Sequence, residues 1–323
     1  MGEAVYLDHY LGPLGPYLEA TDVTDIYINR PGELWVERLG SVAERIVVKE
    51  LDARTLERLS RQIAAQSSQG ISREHPLLSA SLPDGSRVQI ALPPATRGEV
   101  AIAIRKYVAK NLSVDDYAQA GAFDGLRAQV QRPNVQAKLK AYQQKGDFAG
   151  LLKTAVKERC NIFISGGTSS GKTTFLNALL KEVDNTERLI LIEDTPELKI
   201  AQENAIGLIA SRSALGEAVV SMEDLLNASL RMRPDRIILG ELRGPEAFTF
   251  LRAVNTGHPG SMTTIHADSP ERAIEQLVLL VLESGTHLDR EGIAHYVRSS
   301  IDVYVQLGRI DGQRVVTTIE LRQ

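Results

Sequence analysis

The chain of 323 residues is 43% hydrophobic and 24% charged, the composition of an ordinary globular protein long enough for two domains. Its 37 basic and 41 acidic residues are mixed along the chain and leave a formal charge of −4, so no basic tail or stripe marks a surface for strong direct nucleic-acid binding. One cysteine, Cys160, excludes an intramolecular disulfide and a zinc site made of several thiolates, and fits a reducing cytoplasm.

The first residues, Met1 to Asp8, lack a basic segment followed by an apolar one, and Tyr6 stands where a myristoylation signal needs Ser or Thr. Asp25 to Ile28 and Glu33 to Glu37 alternate on either side of Pro31-Gly32, which predicts a hairpin. Asp52 is placed to cap a helix carrying Leu56, Leu59 and Ile63 on one face. Val88, Ile90 and Leu92, then Val100, Ile102 and Ile104, alternate as strands do. These pieces predict a smaller α+β domain over residues 1–110. Residues 111–157 hold few β-branched residues and much Ala, Gln, Lys and Asp, with Pro133 interrupting, and read as a linker with short helices.

Residues 158–323 form the second predicted domain. Apolar strands at Ile162 to Ile164, Leu189 to Ile192 and Ile237 to Leu239 alternate with helices, the first carrying Phe175, Leu176, Leu179 and Leu180. Continuous apolar strands separated by helices predict an α/β class with a mainly parallel sheet covered on both faces. Glu271 to Ser284 sets Ile274, Leu277, Val278, Val281 and Leu282 on one stripe and stops at Gly285. Its aliphatic run, Leu277 to Leu282, is far shorter than the roughly 20 apolar residues of a membrane span, so membrane contact is expected to be peripheral. Val303, Val305 and Leu307, then Asp311-Gly312, then Val315, Thr317, Ile319 and Leu321, predict a closing hairpin. There is no internal repeat.

The chemistry concentrates in the second domain. Gly166, Gly167, Thr168, Ser169, Ser170, Gly171, Lys172 and Thr173, with Thr174 beyond, fit Gly-x-x-x-x-Gly-Lys-Thr between a strand and a helix. Glycines let the backbone wrap a phosphate with N–H groups inward, and the following helix adds its positive end. Lys172 is expected to reach the β- and γ-phosphates of ATP, and Thr173 to give Mg²⁺ a hydroxyl ligand. Two acidic strand ends, Glu193-Asp194 and Glu241, border the ligand crevice of such a sheet. One could orient or deprotonate the attacking water while the other holds Mg²⁺ through water, an assignment the pattern leaves open. His266, after the turn Gly257 to Gly260, is by spacing alone more often a structural histidine than a phosphate contact.

With these landmarks in order, the chain resembles the secretion traffic ATPases, the hexameric motors of type II and type IV secretion and of type IV pili. Arg188 to Leu198 is similar to that family's acidic box, Ile238 to Ala247 to its Walker B segment, and Thr256 to Ala267 to its histidine box. Asp22 to Glu37 resembles its first hairpin, and His75 to Ile90 its type IV secretion branch. The resemblance covers nearly the whole chain and is weakest from Asn111 to Lys157. It implies a RecA-like nucleotide-binding domain, ATP with Mg²⁺, hydrolysis by Glu193 and Glu241, and a γ-phosphate contact from His266. It also implies that Arg87 and Arg105 of the N-terminal domain are presented to phosphate, a task suited to the planar guanidinium. The implied setting is a homo-hexamer at the cytoplasmic face of a bacterial inner membrane, with secretion-channel subunits and a coupling ATPase as partners.

Two departures sharpen the resemblance. Ser169 stands where the family commonly has glycine, and the single cysteine forbids the four-cysteine zinc module of many type II and pilus-extension relatives. The latter points to the type IV secretion branch, with a pilus retraction-like or Flp pilus ATPase as the alternative. Readings of other classes are a P-loop kinase, for which no acceptor motif is present, a nonenzymatic ring adaptor with a degenerate nucleotide site, and a DNA translocase, which the mixed charge disfavours.

Overall fold

The computed structural model describes residues 2–107, 113–124, 135–211 and 217–322. The alternation early in the chain builds β1 (Val23–Ile28), β2 (Glu33–Arg38), β3 (Glu44–Val47), β4 (Leu77–Ser81), β5 (Arg87–Ala91) and β6 (Ala101–Arg105). They pair antiparallel in the order β3-β2-β1-β6-β5-β4. The expected hairpin sets Tyr27 opposite Trp35, with Gly32 at φ +82 in its turn. Helix Ala53–Gln66 starts at Asp52, whose carboxylate accepts the Thr55 N–H at 2.7 Å. Its Leu56, Leu59 and Ile63 bury against Ile26, Ile28, Ile90 and Ile102 on one face of the sheet. On the opposite face the residues are smaller: Ala91, Ala101 and Ala103, with Tyr27 and Trp35, share a core with Ile206 and Leu208 of the second half. Alternation by two therefore separates an inner face from an inter-domain face.

The second sheet contains β7 (Ile162–Gly166), β8 (Leu189–Glu193), β9 (Ala205–Ile209), β10 (Arg236–Leu239), β11 (Met262–Ile265), β12 (Val303–Ile310) and β13 (Gln313–Leu321), in the order β13-β12-β7-β11-β10-β8-β9. Every pairing is parallel except that of β12 with β13, the expected closing hairpin. This is the α/β class with a mainly parallel sheet, preceded by a smaller α+β part.

Two local expectations differ from the structure. The short helices expected in the segment read as a linker are present in its later part, Val135–Gln144 and Phe148–Lys157, but they are packed into a core: their Leu139, Leu151, Ala155 and Val156 are buried with Ile162, Leu176 and Val305. Polar Gln and Lys on the outer faces masked that stripe; Pro133 lies outside the described residues. In helix Pro270–Glu283 the buried set is Ala273, Ile274, Leu277, Val278, Leu280 and Val281, whereas Leu282 is 39% exposed. At 100° per residue the buried arc centres between Leu277 and Val281, and Leu282 falls beyond its rim.

A buried ion pair ties the second of these helices to the sheet. Arg236, at the start of β10 and wholly buried, donates Nε to Glu187 Oε2 at 2.7 Å and Nη2 to Glu187 Oε1 at 2.6 Å. Its Nη1 donates to the Val156 carbonyl at 2.8 Å, at the end of helix Phe148–Lys157. Gly260, at φ +82, leaves room for this guanidinium, since a Cβ there would lie 2.7 Å from Nη1. Removing one partner strands the other charge away from water. Glu187→Ala is expected to lower unfolding stability by about 3–5 kcal/mol, measured by urea titration.

Candidate active site

Four neighbouring strands, β7, β11, β10 and β8, end side by side at one edge of the parallel sheet. Their carboxyl ends lead into the loop 166–171, His266, Glu241 and Glu193 respectively. Residues separated by up to about a hundred positions in the chain thus face one cavity of about 530 Å³, where open α/β sheets bind ligands. Thr168 to Thr174, Glu193, Glu241 and His266 all line it.

The loop is held in shape by close approaches. A Cβ on Gly166 would lie 2.9 Å from the Leu307 carbonyl oxygen, and one on Gly171 would lie 2.9 Å from Arg314 Cδ. Gly171 has φ +93 and starts helix Lys172–Leu180, whose first N–H groups have no partner within the helix. Ser169 has φ +60, a left-handed conformation that glycine adopts without a Cβ clash and that a serine holds here.

Lys172 is buried, and its ammonium is folded onto its own loop, donating to the Gly166 carbonyl at 2.9 Å. It also lies 3.2 Å from His266 Nδ1 and 3.8 Å from Glu241 Oε1. His266 Nε2 lies 2.8 Å from the same Glu241 oxygen. With Nδ1 unprotonated, the ammonium donates to it, whereas Nε2 approaches Glu241 Oε1 without hydrogen-bond geometry, and that buried oxygen has no hydrogen-bond partner among the described residues. The other Glu241 oxygen meets the Arg243 guanidinium, whose Nη1 also contacts Asp194 Oδ2 at 2.7 Å. Glu193 is only 3% exposed, and its Oε1 accepts the Glu197 N–H at 2.9 Å and the Leu198 N–H at 2.8 Å. Its Oε2 meets Arg97.

Arg87 and Arg105 are elsewhere. They are cross-strand partners at one end of the β5–β6 pair, exposed, and open onto a separate cavity of about 860 Å³ with Tyr27, Glu37, Arg159 and Arg233. The structure does not bring them to the phosphate loop of their own chain. Five-residue strands span about 17 Å, and it is the opposite end of this pair, the connection 92–100, that pairs with β9 on the side of Glu193. The arginine that reaches the site from the N-terminal half is Arg97, which sequence reading passed over because Pro93-Pro94 and Gly98 present it as a turn residue. Arg243, within Ile238 to Ala247, also meets Glu241 at the site. Arg314 on β13 gave no sequence signal, because its proximity to Gly171 comes from the hairpin lying beside β7.

The family described as Type II/IV secretion system protein matches residues 9–317. The chain is 38% identical over 324 residues to the Type IV secretion system protein VirB11 of Bartonella quintana, covering 96% of this chain and 91% of the relative. It is 34% identical over 304 residues to the Protein VirB11 of Agrobacterium fabrum, covering 91% of this chain and 87% of the relative. The crystal structure of the VirB11 ATPase from the Brucella suis type IV secretion system, in complex with sulphate, superposes with a TM-score of 0.92 at 36% identity, covering 99% of this chain and 95% of that one.

Burial pushes the Lys172 ammonium below the usual lysine range, with Glu241 opposing the shift. Just below pH 10.5 the unfolded chain therefore holds this proton more tightly than the fold does, and stability from this group rises with pH in that window. Lys172→Ala is expected to remove that rise in pH-resolved thermal melts without lowering the midpoint at neutral pH. The same change is expected to cut ATP turnover by about a hundredfold or more, read by phosphate release.

Proposed function

The chain belongs to the type II/IV secretion system protein family and is an ATPase of its type IV secretion branch, and from that premise we propose that it works as a homo-hexameric motor ring. The observation that carries the reading is the convergence of Lys172, Glu193, Glu241 and His266 at four adjacent strand ends. A kinase would need an acceptor pocket beside the phosphates, whereas this cavity is lined by the groups that ATP hydrolysis itself uses.

In this reading the loop 166–171 and the helix start at Lys172 cradle the phosphates, and Lys172 exchanges the Gly166 carbonyl and His266 for β- and γ-phosphate oxygens. His266, released from Lys172, contacts the γ-phosphate. Water attacks the γ-phosphorus as its bond to the bridging oxygen of ADP breaks, and the proton of that water passes to a carboxylate. Glu193 suits proton acceptance, because two backbone amides anchor one of its oxygens and leave the other as the reactive one.

Magnesium fits the donor set. Among the described residues no cluster of three or more His, Cys, Asp or Glu forms a cage, and Mg²⁺ needs none, since it keeps waters and takes phosphate oxygens. Thr173 would ligate it directly and Glu241 through water. When bound, it neutralises charge on the β- and γ-oxygens.

Arg87 and Arg105 make no ion pair among the described residues and face outward, so in a ring they are available to the phosphates of an adjacent copy. Among the described residues no helix is long and apolar enough to cross a membrane. Attachment to the cytoplasmic face of the inner membrane would then run through secretion-channel subunits, with a coupling ATPase as a further partner. ATP-driven closure of the N-terminal half onto the nucleotide would supply the force for pilus assembly or substrate transport.

Glu241→Gln is expected to retain ATP in equilibrium binding while kcat falls on the order of a hundredfold. Captured with ATP from native membranes, that variant is expected to bring down secretion-channel subunits. Normal hydrolysis by the variant, or recovery of a soluble metabolic enzyme instead, would sink the reading.

A further inference from the structure

Beyond the phosphate loop, the N-terminal half meets a carboxylate of the site through Arg97. The connection between β5 and β6 adds a rung to the exposed edge of β9: Thr96 bridges Leu208, the Arg97 N–H donates to the Gly207 carbonyl at 2.8 Å, and the Ile209 N–H donates to the Ala95 carbonyl at 2.9 Å. From that rung the Arg97 side chain runs across Gly207. A Cβ on Gly207 would lie 2.7 Å from Arg97 Nε and 2.8 Å from its Cγ. Glycine weakens a strand interior, and here it leaves the groove through which another chain segment passes. Past the groove, Nη1 donates to the Leu198 carbonyl at 2.7 Å and Nη2 meets Glu193 Oε2. Leu198 thus gives its N–H to Glu193 and its carbonyl to Arg97.

We propose that Arg97 is a positioning residue for hydrolysis, which covers the reactive oxygen of Glu193 and makes that carboxylate available only when the 93–99 connection leaves β9. The proposal rests on the reading of Glu193 as proton acceptor. Oε1 is committed to two backbone amides, so Oε2 is the oxygen that can accept the proton of the attacking water, and Oε2 is the one Arg97 occupies. A carboxylate paired with a guanidinium is a poor base. The pair is little screened, with the Arg97 side chain 20% and the Glu193 side chain 3% exposed. Seating of the N-terminal half on β9 is thereby linked to the protonation chemistry of the other half through one side chain.

The test is steady-state ATP turnover of the full chain. Arg97→Gln is expected to raise kcat roughly three- to tenfold with KM unchanged. Arg97→Lys, which keeps a cation beside Glu193, returns kcat toward wild type. Gly207→Ala obstructs the groove without changing any charge, and is expected to raise kcat in the same sense. In the Glu193→Gln background, Arg97→Gln has no further effect. A role confined to holding the two halves together predicts instead a lower melting temperature in both Arg97→Gln and Gly207→Ala with kcat unchanged or reduced, and that outcome overturns the proposal. Should Arg97→Gln lose its cooperative melt, Gly207→Ala carries the test alone. Wild-type turnover by Glu193→Gln would overturn the proton-acceptor reading itself. Loss of turnover in Glu193→Gln alongside unchanged turnover in folded Arg97→Gln would overturn only the role given to Arg97.

Discussion

The positive charge of Lys172 is held out of water at the mouth of the parallel sheet, and the rest of the site is arranged around it. A buried ammonium is tolerated only with acceptors on hand. Here they are the Gly166 carbonyl, His266 and, just beyond, Glu241. All three are groups that an incoming triphosphate would replace or extend. The loop geometry that aims Lys172 inward requires backbone at φ +93 and +60, and the flanking β12–β13 hairpin packs so closely that Gly166 and Gly171 have no room for a side chain. Phosphate chemistry, loop conformation and sheet packing are therefore one constraint.

A second constraint is the contact between the halves. It is small-residued at its apolar centre, with Ala91, Ala101 and Ala103, and ionic at its rim. Arg188 lies over the Tyr27 ring at 3.9 Å and donates to Asn29 Oδ1 at 2.9 Å, while Arg233 reaches Asp25 and Glu37. Polar contacts of this kind can be exchanged for water at lower cost than an apolar core. Arg97 belongs to this rim and also ends on a site carboxylate, so it joins the mechanics of the interface to the chemistry of the cavity.

Much of this was legible in the residues, and the reasons differ by element. The hairpin around Pro31-Gly32, the helix capped by Asp52 and the closing hairpin at Asp311-Gly312 are local events, decided by turn residues and by periods of two or 3.6. The phosphate loop is local too, since strand, glycines, lysine and helix follow one another. The burial of helices Val135–Gln144 and Phe148–Lys157 was obscured because their apolar sides are short and their outer faces are rich in Gln and Lys. Strand β9, which receives Arg97, includes a glycine whose purpose is visible only when another segment is seen crossing it.

By itself the sequence determined which groups could do chemistry, namely Lys172, Thr173, Glu193, Glu241 and His266, because each sits at a strand end or helix start recognisable from its neighbours. Tertiary structure alone decided which of them meet. Inserting β11 between β7 and β10 puts His266 between Lys172 and Glu241, and strand order depends on pairings across a hundred residues that no local pattern encodes. The same holds for the arginines: Arg87 and Arg105 lie at the far end of their strands from the cavity, and Arg97 meets the cavity carboxylate Glu193, because hairpin direction and docking, not residue type, decide which end lies nearer the site.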